Sequence, residues 1–184
     1  MVREPGTTIP VMTPLQNKLL SQFKQFGIRY LIVGGQAMRA LGVHRQTRDL
    51  DVWIARDLAN AEALTCLMHQ FQNVPPLEQL NQPNFKFTVG DPACPEVDIL
   101  TSVAGDLPFD VAYARSQRLM LDGRRVPVVT MADLLAIKEA SAKKMEQDAA
   151  DQAFIDAERT LAASTGAKER RDITLLQVAI TAVR

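Results

Sequence analysis

The chain is poor in the residues that build disulfide-stapled or zinc-knuckle domains. Its two cysteines, Cys66 and Cys94, have unrelated neighbours. A disulfide framework and a cysteine-rich zinc site are therefore excluded, and each thiol reads as a small buried apolar residue. Histidine is equally scarce, and neither His44 nor His69 has a catalytic context. Net charge is absent, with 21 basic against 21 acidic residues, so no broad basic field advertises nucleic acid, and any such contact runs through a local patch. No uninterrupted apolar run reaches membrane length, and Met1-Val-Arg-Glu-Pro-Gly6 has no apolar leader core. A cytoplasmic protein is expected. There is no internal repeat and no Walker-type Gly-x-x-x-x-Gly-Lys-Ser/Thr string, which argues against a P-loop kinase or hydrolase. What remains is ordinary globular composition, 47% apolar and 23% charged. It suits one domain, or a core with a small helical appendage.

The chain is organised around the stretch from Leu31 to Ile54. An apolar run, Tyr30 to Val33, stops at Gly34-Gly35, a short helical pattern follows, and a second apolar run from Leu50 to Ile54 carries Asp49 and Asp51 at its start. On a strand these two carboxylates project from the same side. Held abreast they repel unless a cation lies between them, and oxygen ligands of this kind suit Mg²⁺. Glycine lets a ligand approach the main chain, and a helix beginning there favours phosphate. Strand, Gly-Gly, helix and Asp-x-Asp together read as nucleotide chemistry.

Elsewhere the pattern is conventional. Residues 1–13 read as a loose arm. Leu15, Leu19, Leu20, Phe23 and Phe26 predict a helix from Pro14, closed by Gly27. Asp57 is placed to cap a helix with Leu58, Ala61, Leu64, Leu67, Met68 and Phe71 on its apolar stripe, and His69 off it. Residues 85–89 and 96–100 predict a hairpin, with Asp98 among apolar neighbours, where a carboxylate needs a partner or a metal. Glu96 shares its face. Asp122-Gly123 predicts a second hairpin, and Pro127 puts its last strand at an edge or leaves its N–H side free. Thr130 to Asp133 forms a weak capping box for a helix running to about Met145. A further helical pattern from 149 to 163 ends near Thr165-Gly166, and Asp172 is placed to cap a last helix carrying Leu175, Leu176, Val178, Ala179 and Ile180.

The stretch resembles the nucleotidyltransferases of the DNA polymerase β superfamily. Their signature is an apolar strand ending in Gly-Gly or Gly-Ser, then Asp-x-Asp or Asp-x-Glu, and a third acid on a later strand. Arg45-Gln-Thr47-Arg48-Asp49-Leu-Asp51 looks most like the branch holding the AbiEii-like toxins of type IV toxin–antitoxin systems. Asp133-Leu-Leu-Ala-Ile-Lys138, then Lys143-Lys144 and Asp148-Ala-Ala-Asp151, continue the likeness, which covers about residues 28–155. In one departure, Met-Glu-Gln precedes Asp148 where the family often has a basic residue.

The resemblance implies a nucleotidyltransferase fold of α/β (α+β) type, a mixed sheet flanked by helices, with a core over 14–130 and a helical C-terminal part over 131–184. It implies two Mg²⁺ ions held by Asp49, Asp51 and Asp98 as the catalytic acids. Gly34, Gly35, Arg45, Thr47, Arg48 and Lys138 would bind the nucleotide. For Arg45 and Arg48, salt bridges to neighbouring acids are the alternative, and for Lys138, simple solvation. Asp148 and Asp151 read as a solvated or helix-stabilising pair. The partners implied are an NTP, ATP among the candidates, and a hydroxyl acceptor that is RNA such as tRNA, a protein or a small molecule. A cognate toxin or antitoxin, or a second copy of the chain, would complete the acceptor site.

Overall fold

The computed structural model describes residues 12–91, 94–151 and 156–182. Helix α1 spans Pro14–Gln25, and three residues set its start. The Thr13 hydroxyl accepts the Gln16 N–H, the Gln16 side chain accepts the Thr13 N–H, and Pro14 occupies the first turn, where no N–H is needed. Leu19, Leu20 and Phe23 are buried, and Gly27 takes the left-handed position past the helix end at φ +67°. Met12 is buried as well, so the tail of the expected arm is anchored to the core, while residues 1–11 lie outside the described ones.

Strand β1 (Tyr30–Val33), helix α2 (Gly34–Ala40) and strand β2 (Leu50–Ile54) follow. Asp57 caps α3 (Leu58–Met68), its carboxylate accepting the Asn60 N–H at 2.9 Å. Then come α4 (Leu77–Leu80), β3 (Lys86–Asp91), β4 (Cys94–Leu100), α5 (Phe109–Arg115), β5 (Gln117–Leu121), β6 (Arg124–Val128), α6 (Met131–Asp151) and α7 (Asp156–Ala182). The six strands make one mixed sheet in the order β3-β4-β2-β1-β6-β5, with β2 antiparallel to β1 and parallel to β4. Helices flank it: α1 packs on α3, α2 on α6, and α6 along α7. This is the mixed α/β architecture with a helical C-terminal part that the sequence predicts. At its centre Trp53 is buried and meets Phe109 edge-on, with centroids 5.2 Å apart. Among the described residues no helix is long and apolar enough to cross a membrane.

The structure departs from the sequence reading in several places. Of the two places read for Pro127, the edge fails and the free N–H side holds: β6 lies inside the sheet between β1 and β5, and β5 is the edge. Proline is tolerated because the ladder to β1 is short, limited to Ile32 beside Val128 and the Val129 N–H donated to the Ile32 carbonyl. The two predicted C-terminal helices are one continuous α7: Gly166 lies inside it, and Asp172 is a buried mid-helix residue and no cap. Helix α6 likewise runs past Met145 to Asp151. Leu58 and Val178 are exposed rather than core, and so is Cys66, contrary to its reading as a buried residue.

Thr130 does cap α6, its hydroxyl accepting the Asp133 N–H at 3.1 Å while donating to the Asp133 carboxylate at 2.8 Å. Asp133 also pairs with Arg115 at the end of α5. We expect Thr130→Ala to lower stability by about 1 kcal/mol, read as a lower urea midpoint at unchanged slope. No shift in midpoint would show that the Arg115–Asp133 pair alone holds the helix start.

Candidate functional site

The sheet register brings two acids together. Strands β2 and β4 run parallel with Asp51 beside Asp98, so their side chains leave the same face on neighbouring strands. On the other side of β2, Val33 of β1 lies opposite Asp51, and Gly34 follows at once. Gly34 has φ +63°, and a Cβ there would overlap the Asp51 carboxylate, with Asp51 Cγ only 2.7 Å away. Glycine is thus required twice, for its backbone conformation and for the room Asp51 occupies. Asp49, expected on the same strand face, sits one residue before β2 begins and is exposed.

The acids differ in their surroundings. Asp98 accepts the Thr88 hydroxyl at 2.8 Å and lies 2.7 Å from the Lys86 ammonium, both on the antiparallel neighbour β3. Glu96, which shares its strand face, accepts the Thr13 hydroxyl instead and so belongs to the α1 cap. Fully buried Gln16 donates to the carbonyls of Arg48 at 2.7 Å and Glu96 at 2.8 Å, tying together the backbones that lead into Asp49 and Asp98. Burial pushes the Asp51 carboxyl up to about 6, and the Asp98 charge adds to it; Lys138 and Lys86 oppose the rise, and Asp49 reinforces it.

A cleft of about 200 Å³ opens on the Asp51 side of this pair, lined among others by Gly34, Asp51, Ser102, Lys138 and Ser141. Lys138 is not solvated: its ammonium lies 3.0 Å from Glu169 and 3.3 Å from Asp172, both on α7. Arg45 Nε donates to Asp172 at 2.6 Å, a pair joined across 127 residues of sequence. The ion-pair alternative for Arg45 therefore describes the structure, although the acid is remote in sequence and buried. A Cβ on Gly35 would run into the Arg45 guanidinium and, at 2.7 Å, into Thr47. The space freed by the glycine pair is filled by Asp51, Arg45 and Thr47. Arg48 is exposed and makes no side-chain ion pair among the described residues, and Asp148 is exposed on α6. The Asp151 side chain lies outside the described ones.

The donor set matches a hard divalent cation. Asp51 and Asp98 supply carboxylate oxygens side by side, and the Asp51 carboxyl is raised first by burial and then by the Asp98 charge. Asp49 stays apart, however, and Asp98 is engaged by Lys86 and Thr88. Among the described residues, no group of three or more His, Cys, Asp or Glu is gathered to hold a metal ion.

Sequence reasoning missed Lys86, Thr88, Gln16, Glu169 and Asp172. Lys86 and Thr88 carried a signal, since they alternate on the strand facing Asp98 in the predicted hairpin. Glu169 and Asp172 fall at helical spacing with Leu176, but nothing in that spacing ties them to Lys138 or Arg45. Gln16 carried no signal beyond its place in the cap.

No protein-family model matches the chain, and no curated protein matches it. A crystal structure of ANT(2")-Ia in complex with adenylyl-2"-tobramycin is similar, with a TM-score of 0.46 at 14% identity, covering 92% of this chain and 97% of that one. A likeness of this degree decides nothing about function.

Proposed function

We propose that the chain is a Mg²⁺-dependent nucleotidyltransferase, moving a nucleoside monophosphate from an NTP to a hydroxyl of RNA, protein or a small molecule. The observation that carries this reading is the placement of Asp51 beside Asp98 on adjacent parallel strands, at a cleft lined by Gly34 and Lys138. It joins the sequence resemblance, which also suggests a toxin–antitoxin setting with a partner protein. In such a transfer the acceptor oxygen bonds to the α-phosphorus, the bond to the bridging oxygen breaks, pyrophosphate leaves, and the acceptor's proton passes to solvent water.

On this reading Asp51 and Asp98 would hold the ions, with exposed Asp49 recruited to them from just before β2, and the ions would supply activation of the attacking oxygen and stabilisation of the leaving pyrophosphate. The rest is positioning by the chain itself. Strand register sets the spacing of Asp51 and Asp98, Gln16 ties the backbones ahead of Asp49 and Asp98, and Lys138 supplies positive charge at the cleft wall. Arg45, Thr47 and Arg48 complete the nucleotide side of this reading.

A second reading is a nucleotide- or partner-binding module of the same architecture without turnover. It is favoured by the engagement of Arg45 and Lys138 with α7 acids. One experiment separates the two. The protein is incubated with Mg²⁺, each α-labelled NTP in turn, and total RNA or lysate, beside an Asp49→Ala/Asp51→Ala control. We expect label on one acceptor class, reduced at least about 100-fold in the control. Mg²⁺-dependent nucleotide binding without transfer would select the binding module, and neither binding nor transfer would sink both.

A further inference from the structure

Two basic and two acidic side chains form a closed cluster between the cleft and α7. Arg45 and Lys138 are each 12% exposed, Glu169 10% and Asp172 2%. Asp172 bridges the two cations, one oxygen 2.6 Å from Arg45 Nε and the other 3.3 Å from Lys138 Nζ, while Glu169 holds Lys138 from a second side. Each cation also touches the site. The Arg45 guanidinium packs where a Gly35 side chain would stand, and Lys138 lines the cleft with Asp51 and Gly34. Buried charges are costly unless paired, and ion contacts of 2.6, 3.0 and 3.3 Å link these four side chains, although Glu169 Oε2 and Asp172 Oδ2 reach Lys138 without hydrogen-bond geometry.

We propose that Glu169 and Asp172 are positioning residues: α7 acts through Lys138 and Arg45 to hold positive charge at the cleft wall and the Gly34–Gly35 turn in place. This rests on the nucleotidyltransferase reading. The alternative is a brake in which α7 masks the cations until nucleotide displaces it. The packing opposes that role. Glu169 and Asp172 share a helical face with buried Leu176, and α7 lies against α6 along that region, so the acids belong to a packed interface and not to a detachable tail.

The test uses the full chain carrying Glu169→Gln, which loses charge while touching only Lys138, and Asp172→Asn, which unties both cations. Each variant is first shown to unfold cooperatively above assay temperature. The first readout needs no activity: a short pulse of an amine-acylating ester, quantified at Lys138 by mass spectrometry against exposed Lys143 and Lys144. Release of Lys138 should raise its labelling about fivefold or more relative to those two. The second is steady-state transfer with the NTP selected above. Displacing Lys138 should raise the KM for NTP about tenfold, with kcat changing less, whereas partial unfolding lowers kcat and leaves KM alone. Unchanged Lys138 labelling in both variants would overturn the clamp. A lower KM or faster transfer would overturn positioning in favour of the brake. If the wild type transfers nothing while the labelling contrast persists, the nucleotidyltransferase reading fails and the clamp stands as architecture.

Discussion

Asp51→Asn should abolish nucleotidyl transfer and, in metal-free buffer near pH 7.5, make the protein more stable. The carboxyl of Asp51 is raised from 3.8 to about 6, first by burial and then by the neighbouring Asp98 charge. For an acid shifted upward, the folded state keeps its proton between about pH 4 and 6 while the unfolded chain has released it. Stability therefore falls as pH rises through that window, and the penalty is complete above pH 6 and absent below about pH 4. At about 1.4 kcal/mol per pH unit, the ionised group costs the fold roughly 1–3 kcal/mol at neutral pH. An amide of the same shape removes that cost. Urea unfolding of wild type and variant from pH 4 to 8 should give curves that converge at the acid end, separate between about pH 4 and 6 and stay apart above it, with the variant higher. Added Mg²⁺ should stabilise the wild type by about 2.7 kcal/mol at a hundred times its dissociation constant, and the variant much less. A variant less stable than wild type at pH 7.5 would contradict the description of Asp51 as a carboxylate held against its own electrostatics.

Gly34→Ala should be the most damaging single-methyl substitution near the site. The left-handed backbone at φ +63° costs an L-residue about 1–2 kcal/mol. The new methyl would also press on Asp51, whose Cγ and Cβ lie 2.7 and 3.0 Å from the ideal Cβ position. Overpacking of this kind adds about 1–3 kcal/mol, for a total loss of roughly 2–5 kcal/mol, with transfer lost because the carboxylate is pushed out of register with Asp98. Gly27 is the internal control. Its φ is +67°, but nothing lies within 4 Å of its would-be Cβ, so Gly27→Ala should show the backbone cost alone. Pairing Gly34→Ala with Asp51→Ala should recover the steric part of the loss in a double-mutant cycle. Equal losses at Gly34 and Gly27 would mean that Asp51 yields without cost and does not pack on the glycine.

Much of this site is visible in the chain because its signals are local. Gly34-Gly35 after Tyr30–Val33, and Asp49-x-Asp51 opening the next apolar run, predict strand, turn and strand from period and glycine alone. The caps at Asp57 and Thr130, and the turn at Asp122-Gly123, are legible because a cap or tight turn is made by residues within a few positions of one another. Asp98 is legible as a carboxylate among residues that must be buried.

The partners of Lys138 and Arg45 were not legible. Nothing near Lys138 in sequence announces Glu169, and Asp172 reads as a cap because a lone acid before an apolar stripe usually is one. Pro127 argues for an edge strand or a free N–H side, and only the short pairing of β6 with β1 decides for the second. The sequence by itself determined the elements and the presence of two acids and a glycine turn beside them, since backbone propensity and hydrophobic period act over neighbouring residues. Tertiary structure alone decided that Asp51 stands beside Asp98, that Asp49 stays exposed off the strand end, and that α7 reaches back to Arg45 and Lys138. Those facts depend on strand order and on buried charges finding partners far along the chain, and a buried charge takes whichever opposite charge the folded packing brings within reach.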